Sequence, residues 1–198
     1  DAGMPGISDP GYLIVRAALD ANIEIEVVPG PSAASTALLL SGLPMERYIF
    51  DGFPPRTQQA RQNYFETIKV EGRTVVLFEA PHRIRETLAD AIEILGGQRQ
   101  GAVCREMTKT HEEIVRGSLT ELETWANSKE MLGEITLVIA APSAGEILEL
   151  TPLEIAAKVK ELEGVGATRQ EAVAQIATEF GLRKRAIFDA LVASKIGQ

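Results

Sequence analysis

The chain has 198 residues, 45% of them hydrophobic and 24% charged, with a formal net charge of -8. That length carries one large domain or two smaller ones, and the acidic balance excludes nucleic-acid binding through the whole surface while leaving room for a local basic patch. A single cysteine, Cys104, excludes internal disulfides and multi-cysteine metal sites and suits a reducing cytoplasm; with His82 and His111 the only histidines, no metal is expected. No apolar run approaches the roughly 18–20 residues of a membrane span, and no basic-then-apolar signal region opens the chain. The first residue is an aspartate inside what reads as a site loop, so a preceding segment is expected to be missing.

In chain order, DAGMPGISDPG is a loop with three glycines and two prolines, ending in Asp9-Pro10, a capping carboxylate followed by proline, which predicts a helix from Pro10 to about Ala21. IEIEVV (23–28) alternates apolar and acidic residues, as a half-exposed strand does. PGPSAASTALLLSGLP (29–44) reads as a sharp turn, a small-residue helix and a Gly-Pro stop, and YIFDGFPP as a short strand running into a loop. A helix from about Thr57 to Lys69 follows, then TVVLFEA (74–80), a continuous apolar run of the kind found in strands covered on both faces. Pro81 opens a helix closed at Gly96-Gly97. GAVCREMT (101–108), EEIVRG (112–117) and EITLVIAAP (134–142) read as strands, and Ser118 with Glu121 forms a capping box for a helix through Ala126.

The alternation of strands and helices through residue 142 predicts an α/β body. Beyond it no strand pattern remains. Residues 144–151 read as a linker, and 152–198 as three helices, two of them opened by the capping boxes Thr151/Glu154 and Thr168/Glu171, with a tight Gly181 turn before the last. Residues 164–198 hold Arg169, Arg183, Lys184, Arg185 and Lys195 against Glu171, Glu179 and Asp189, a local excess of positive charge. LRKR opens the final helix after a glycine turn, as in a helix-turn-helix recognition helix. Phosphate contacts from Arg169, Arg183, Lys184 and Arg185 would position an RNA without reading its sequence; a basic solvated face on a packing module is the alternative.

The opening loop has the glycines of a phosphate loop but carries carboxylates where a lysine or arginine would balance an anion. That suits a cationic ligand rich in hydroxyls and amines, such as S-adenosylmethionine. A tight turn with Asp9 as a helix cap is the simpler alternative.

Taken together, DAGMPGISDPG, VVPGPSAASTALLLSGLP, VLFEAPHR, CREMTKTHEE and GEITLVI resemble, in order and across all 198 residues, the ribosomal RNA small-subunit methyltransferase I family of tetrapyrrole-methylase-like enzymes. Met4 departs from the threonine expected in that loop. The resemblance implies a two-lobed class III methyltransferase body, with residues 1–45 the remainder of an N-terminal cofactor-binding lobe and 46–143 a C-terminal α/β lobe. It implies S-adenosylmethionine as cofactor, a cytidine ribose 2′-hydroxyl of 16S rRNA or the small ribosomal subunit as substrate, a homodimer and a cytoplasmic location. Carried over onto this chain, the cofactor-binding residues are Asp1, Gly3, Pro5 and Ile7; Pro31, Ser32 and Ala33; Phe78; and Glu134, Ile135 and Thr136.

Methyl transfer from a sulfonium depends largely on alignment, and a ribose hydroxyl must also lose its proton. Glu79, Glu106 and Lys109, each on or beside a strand end, are the candidate catalytic groups, the lysine only if its pKa is depressed. Glu79 is expected where parallel strands open onto a ligand crevice, whereas Arg105-Glu106 reads equally as a structural ion pair. His82, Arg83 and Arg105 are candidate RNA contacts, and a solvated helix start is the alternative for the first two. Cys104 reads as a buried strand residue without chemistry. Two other functions remain open: a precorrin-type tetrapyrrole methylase on the same fold, and a non-catalytic, ligand-sensing nucleic-acid-binding regulator.

Overall fold

The computed structural model describes residues 3–143, 151–180, 182 and 184–196. Five strands, β1 (Tyr48–Phe50), β2 (Thr74–Glu79), β3 (Gln100–Arg105), β4 (Glu113–Ser118) and β5 (Ile135–Ile139), form one sheet in the order β1-β2-β5-β3-β4. Only β1 and β2 run parallel; β2–β5, β5–β3 and β3–β4 are antiparallel. The expectation of a parallel sheet opening at Glu79 is therefore corrected. A helix crossover joins β1 to β2, but β5 enters from the opposite direction and fills the middle of the sheet.

Five helices accompany the sheet: α1 (Tyr12–Asp20), α2 (Ala33–Ser41), α3 (Gln58–Ile68), α4 (Ile84–Leu95) and α5 (Leu119–Asn127). Strand alternation divides the sheet's side chains between two faces. Val76, Ala102, Cys104 and Val138 pack beneath Ala34, Ala37 and Leu38 of α2, whose small residues allow close approach. Val75, Leu77, Val103 and Leu137 are buried on the other face, where Leu119 and Leu122 of α5 sit over Gly101. At Gly101 even a methyl group would meet the Val138 carbonyl. Buried among these residues, the Cys104 thiol is pushed up to about 11 by desolvation, in keeping with an inert core residue.

Two predicted elements differ. The first helix begins at Tyr12 with Gly11 as its N-cap, and no side chain caps it, so Asp9 does not perform the role expected of it. Ser8 has φ 54° and Gly11 φ 146°, a backbone path that turns the chain before Pro10 can start a helix. Residues 23–28 form no strand: Ile23, Ile25, Val27 and Val28 are exposed, and α1 has no buried residue. Alternation defines two faces, but a strand forms only where a neighbouring strand shares its backbone hydrogen bonds, and among the described residues no strand pairs with 23–28.

The chain divides into two compact units, residues 1–65 with 73–140, and 66–72 with 141–198. The first spans both segments read above as lobes. The second contains α6 (Pro152–Gly164), α7 (Arg169–Glu179) and α8 (Lys184–Ile196). Ile155, Val159, Ala172, Val173, Ile176, Phe180 and Ile187 form its core, with Val70 packed against them. The three expected capping boxes are all present, each with the Ser or Thr hydroxyl accepting from the backbone of a glutamate whose side chain accepts in return. Residues 144–150 of the expected linker lie outside the described residues.

Candidate active site

The first unit holds a cleft of about 370 Å³ lined by Ser8, Ala33, Phe53, the 78–81 segment and the 133–136 segment, within the roughly 300–1,000 Å³ of small-molecule sites. Its wall is built where β2 ends and β5 begins, with Phe78 opposite Thr136 and Glu79 opposite Ile135 across the ladder. Ala33 brings in the start of α2. Of the residues expected at a cofactor, Ala33, Phe78, Glu134, Ile135 and Thr136 line the cleft together. Gly3, Pro5, Ile7, Pro31 and Ser32 do not line it, although the Met4 amide donates to the Pro31 carbonyl at 2.9 Å and ties the opening loop to the turn before α2. Asp1 lies outside the described residues, and Asp9 is exposed and absent from the lining. The cleft takes its exposed carboxylate from Glu134, beside the hydroxyls of Ser8 and Thr136.

Sequence reasoning missed Ser8, Phe53, Ala80, Pro81 and Gly133. The available signals were small. Phe53 is a lone apolar residue between glycine and proline, and Gly133 directly precedes the EITLVI strand.

Glu79 is buried at 2% exposure, and both its oxygens are engaged. One accepts from the Ala80 amide at 2.7 Å and the other from the Thr87 hydroxyl at 2.5 Å, with the Arg83 guanidinium 3.5 Å away. It fastens the end of β2 to the first turns of α4. Arg83 in turn donates to the carbonyls of Pro54 and Pro55 at 3.0 and 2.8 Å. Its guanidinium is thus built into the molecule, whereas His82 beside it is exposed.

Glu106, Lys109 and Glu134 form a knot at the edge of the cleft. The Glu106 amide donates to the Glu134 carbonyl, the Glu134 amide donates to the Glu106 carboxylate, and the Lys109 ammonium donates to both carboxylates at 2.9 and 3.1 Å. Glu106 and Thr108 take left-handed backbone conformations, φ 49° and 66°, which L-residues adopt only where surrounding contacts hold them there. Gly133, at φ 85°, must be glycine for a second reason, because a Cβ there would overlap the Glu106 side chain. The Lys109 hydrogen bond holds Glu106 below the usual carboxylate range, and the two carboxylates hold Lys109 above the usual ammonium range. A lysine raised in this way keeps its proton at neutral pH, so the depressed pKa that a lysine base requires is not present.

Arg105 donates to the Glu113 carboxylate at 3.4 Å and to the Leu132 carbonyl at 3.3 Å. With Glu106, His111, Leu132 and Gly133 it borders a second depression of about 280 Å³ that shares Gly133 with the cleft. In the helical unit Arg169 is paired with Glu163 at 2.7 Å, whereas Lys184 and Arg185 are exposed without an ion-pair partner among the described residues. Arg183 lies outside them.

A match to the tetrapyrrole (corrin/porphyrin) methylase family covers residues 1–123. Ribosomal RNA small subunit methyltransferase I of Mycobacterium tuberculosis (strain H37Rv) is 47% identical over 198 residues, covering 98% of this chain and 67% of the relative. The chain belongs to the ribosomal RNA small subunit methyltransferase I branch of the tetrapyrrole methylase family. The protein of the same name from Halalkalibacterium halodurans is 40% identical over 197 residues, covering 96% of this chain and 66% of the relative. The chain spans about two thirds of the length of the curated relatives it matches. Among solved structures, the methyltransferase CobJ superposes with a TM-score of 0.52 at 15% identity, covering 71% of this chain and 67% of that one. Diphthine synthase gives 0.53 at 16% identity over 70% of this chain and 57% of that one. At such identities the likeness shows the fold alone.

The family makes the chain a methyltransferase and implies S-adenosylmethionine as methyl donor. The lining fits that group. Phe78 offers aromatic surface to a purine, Ser8 and Thr136 offer hydroxyls to a ribose, and the exposed Glu134 offers a carboxylate to an ammonium. Among the described residues no cluster of histidine, cysteine or carboxylate side chains could hold a metal ion, and no helix is long and apolar enough to cross a membrane.

Proposed function

We propose that this methyltransferase transfers the donor's methyl group to a cytidine ribose 2′-hydroxyl of 16S rRNA in the small ribosomal subunit. The observation that carries this reading is 47% identity over nearly all of this chain to a relative named ribosomal RNA small subunit methyltransferase I, joined to a cleft whose lining suits a nucleoside-bearing cation. The donor supplies an electrophilic methyl on a sulfonium, a group that needs alignment more than activation.

In this reading Ala33, Phe78, Glu134, Ile135 and Thr136, with Ser8 and Gly133, hold the donor. Glu79 shapes the cleft by fixing the end of β2; its oxygens are occupied and it does not take the substrate's proton. Lys109 stays charged and fixes Glu134 in the wall. Its ammonium also favours a developing negative charge on an attacking oxygen at the cleft edge. Glu106, held ionised and ion-paired, is a weak base, so the hydroxyl proton leaves to water. The exposed Lys184 and Arg185, with Arg183, form the phosphate-contacting part of the helical module, and the exposed His82 is a further RNA contact beside the cleft. The homodimer implied by the family resemblance, acting in the cytoplasm, completes the proposal.

The test is a methylation assay with full-length protein and labelled S-adenosylmethionine on small subunits from a strain lacking the modification. Label on a ribose oxygen of one cytidine is expected. Label on a base, or none on RNA with transfer to a tetrapyrrole, would refute the reading.

A further inference from the structure

The loop that follows β1 is held with unusual thoroughness for an exposed turn. Three consecutive carbonyls are captured by two guanidiniums: Pro54 and Pro55 by Arg83, and Arg56 by Arg61 at 3.3 Å. Each guanidinium is compensated by a buried carboxylate, Arg83 by Glu79 and Arg61 by Asp90 at 2.6 Å. Asp90 also accepts from Gln58 and Gln62. Arg61 is 2% exposed and Asp90 3%. Buried ion pairs cost desolvation that good geometry only offsets, so two of them behind one turn mark a backbone whose shape matters.

Two side chains on this rigid backbone, Phe53 and Arg56, face solvent while Pro54 is buried. Phe53 is 54% exposed, lines the cleft, and has its ring 5.8 Å from the Phe78 ring in an edge-on arrangement. Three residues on, Arg56 is exposed, and its guanidinium has no partner among the described residues. An aromatic face and an unpaired cation on one loop are the combination by which proteins hold a single unpaired nucleotide, the ring stacking on the base and the cation meeting a phosphate. A backbone fixed in advance lowers the ordering cost of that contact. A nucleotide turned out of its stack brings its ribose hydroxyl more easily into a concave cleft and frees its base to stack on a protein ring.

We propose that the 53–57 loop is a preformed acceptor-binding element, in which Phe53 stacks on the base of a splayed nucleotide and Arg56 pairs with an adjacent phosphate. The inference rests on the RNA reading above and adds residues that choose an unstacked nucleotide over a duplex.

The test uses full-length protein and a fluorescent single-stranded oligoribonucleotide containing cytidine, with affinity followed by anisotropy across a salt series. Phe53→Leu should weaken binding roughly five- to 150-fold, whereas Phe53→Trp should restore it to within about twofold. Arg56→Gln should reduce the slope of log affinity against log salt by roughly 0.7, with affinity for S-adenosylhomocysteine unchanged by calorimetry. Wild-type binding by Phe53→Leu, failure of Phe53→Trp alongside it, or an unaltered slope in Arg56→Gln would each overturn the loop's role while leaving the RNA reading standing. Absence of RNA binding by the wild type would overturn both.

Discussion

Replacing Glu79 by glutamine separates a structural carboxylate from a chemical one. The substitution keeps the shape of the side chain but replaces one acceptor oxygen by an NH2 group. That group must then face either the Ala80 amide or the Thr87 hydroxyl, now at 2.7 and 2.5 Å, or turn toward Arg83. At the Ala80 amide it would oppose two donors; toward Arg83 it would oppose a cation. One buried donor left unsatisfied costs about 1–3 kcal/mol, and removing the charge from a buried pair costs about 3–5 kcal/mol when the partner stays fully buried. Arg83 keeps 14% of its side chain in solvent, so the lower part of that range applies, and about 3 kcal/mol in all is expected. Urea unfolding followed by the fluorescence of Trp125, the one tryptophan and a residue of α5, reports on the first unit alone. With a slope of about 2 kcal/mol per molar urea, the midpoint should fall by about 1.5 M. Turnover measured well below that midpoint should fall only as far as the end of β2 shifts. An unchanged midpoint with turnover abolished would refute this reasoning and return Glu79 to the chemistry.

Gly133→Ala should overlap Glu106, force an unfavourable φ and cost about 1–3 kcal/mol; calorimetry with S-adenosylhomocysteine should show weaker binding, and wild-type affinity would contradict the knot's role in the cleft wall. The knot should not titrate across the neutral range. Glu106 is lowered from 4.5, so its contribution is complete above about pH 4.5 and lost as acid passes the lowered value; Lys109 is raised from 10.5, so its contribution is complete below about pH 10.5 and lost as alkali passes the raised one. The knot should therefore add no inflection to donor affinity from about pH 6 to 9, and an inflection that vanishes in Lys109→Met would contradict this. Charge reversal of Lys184 and Arg185 to glutamate should weaken RNA binding and flatten its salt dependence while donor affinity holds; loss of both together would count against a separate RNA-binding role. Thr168→Ala should remove one capping box and lower the helical unit's stability by about 1 kcal/mol, read by far-ultraviolet circular dichroism during thermal melting.

What could be read from the chain beforehand divides along physical lines. Local chemistry was legible: the three hydroxyl–glutamate capping boxes and the apolar TVVLFE and ITLVI strands lie where their patterns put them. Pairing partners were not. Nothing in ITLVI states that β5 runs antiparallel between β2 and β3, and IEIEVV carries a strand's alternation without a strand's neighbour. The site followed the same rule. Strand-end residues such as Phe78 and Thr136 line the cleft, but Phe53 enters it because Arg83 and Arg61 grip the backbone beyond it, and Arg83 stands 29 positions from the Pro54 it holds. The partners of Glu79 were hidden for a related reason: a carboxylate after an apolar run does not show which way its oxygens turn.

The middle of the sheet is occupied by the strand made last, and this sets an order on events during synthesis. Until residue 139 has left the ribosome, β2 and β3 each present an open edge with no partner between them. The β1–β2 unit and the β3–β4 hairpin must wait as separate halves, joined only when ITLVI slides in and closes both ladders at once. Nascent chains arrested before Ile135 should therefore be protease-sensitive and prone to association, and those arrested after Ile139, once clear of the exit tunnel, resistant.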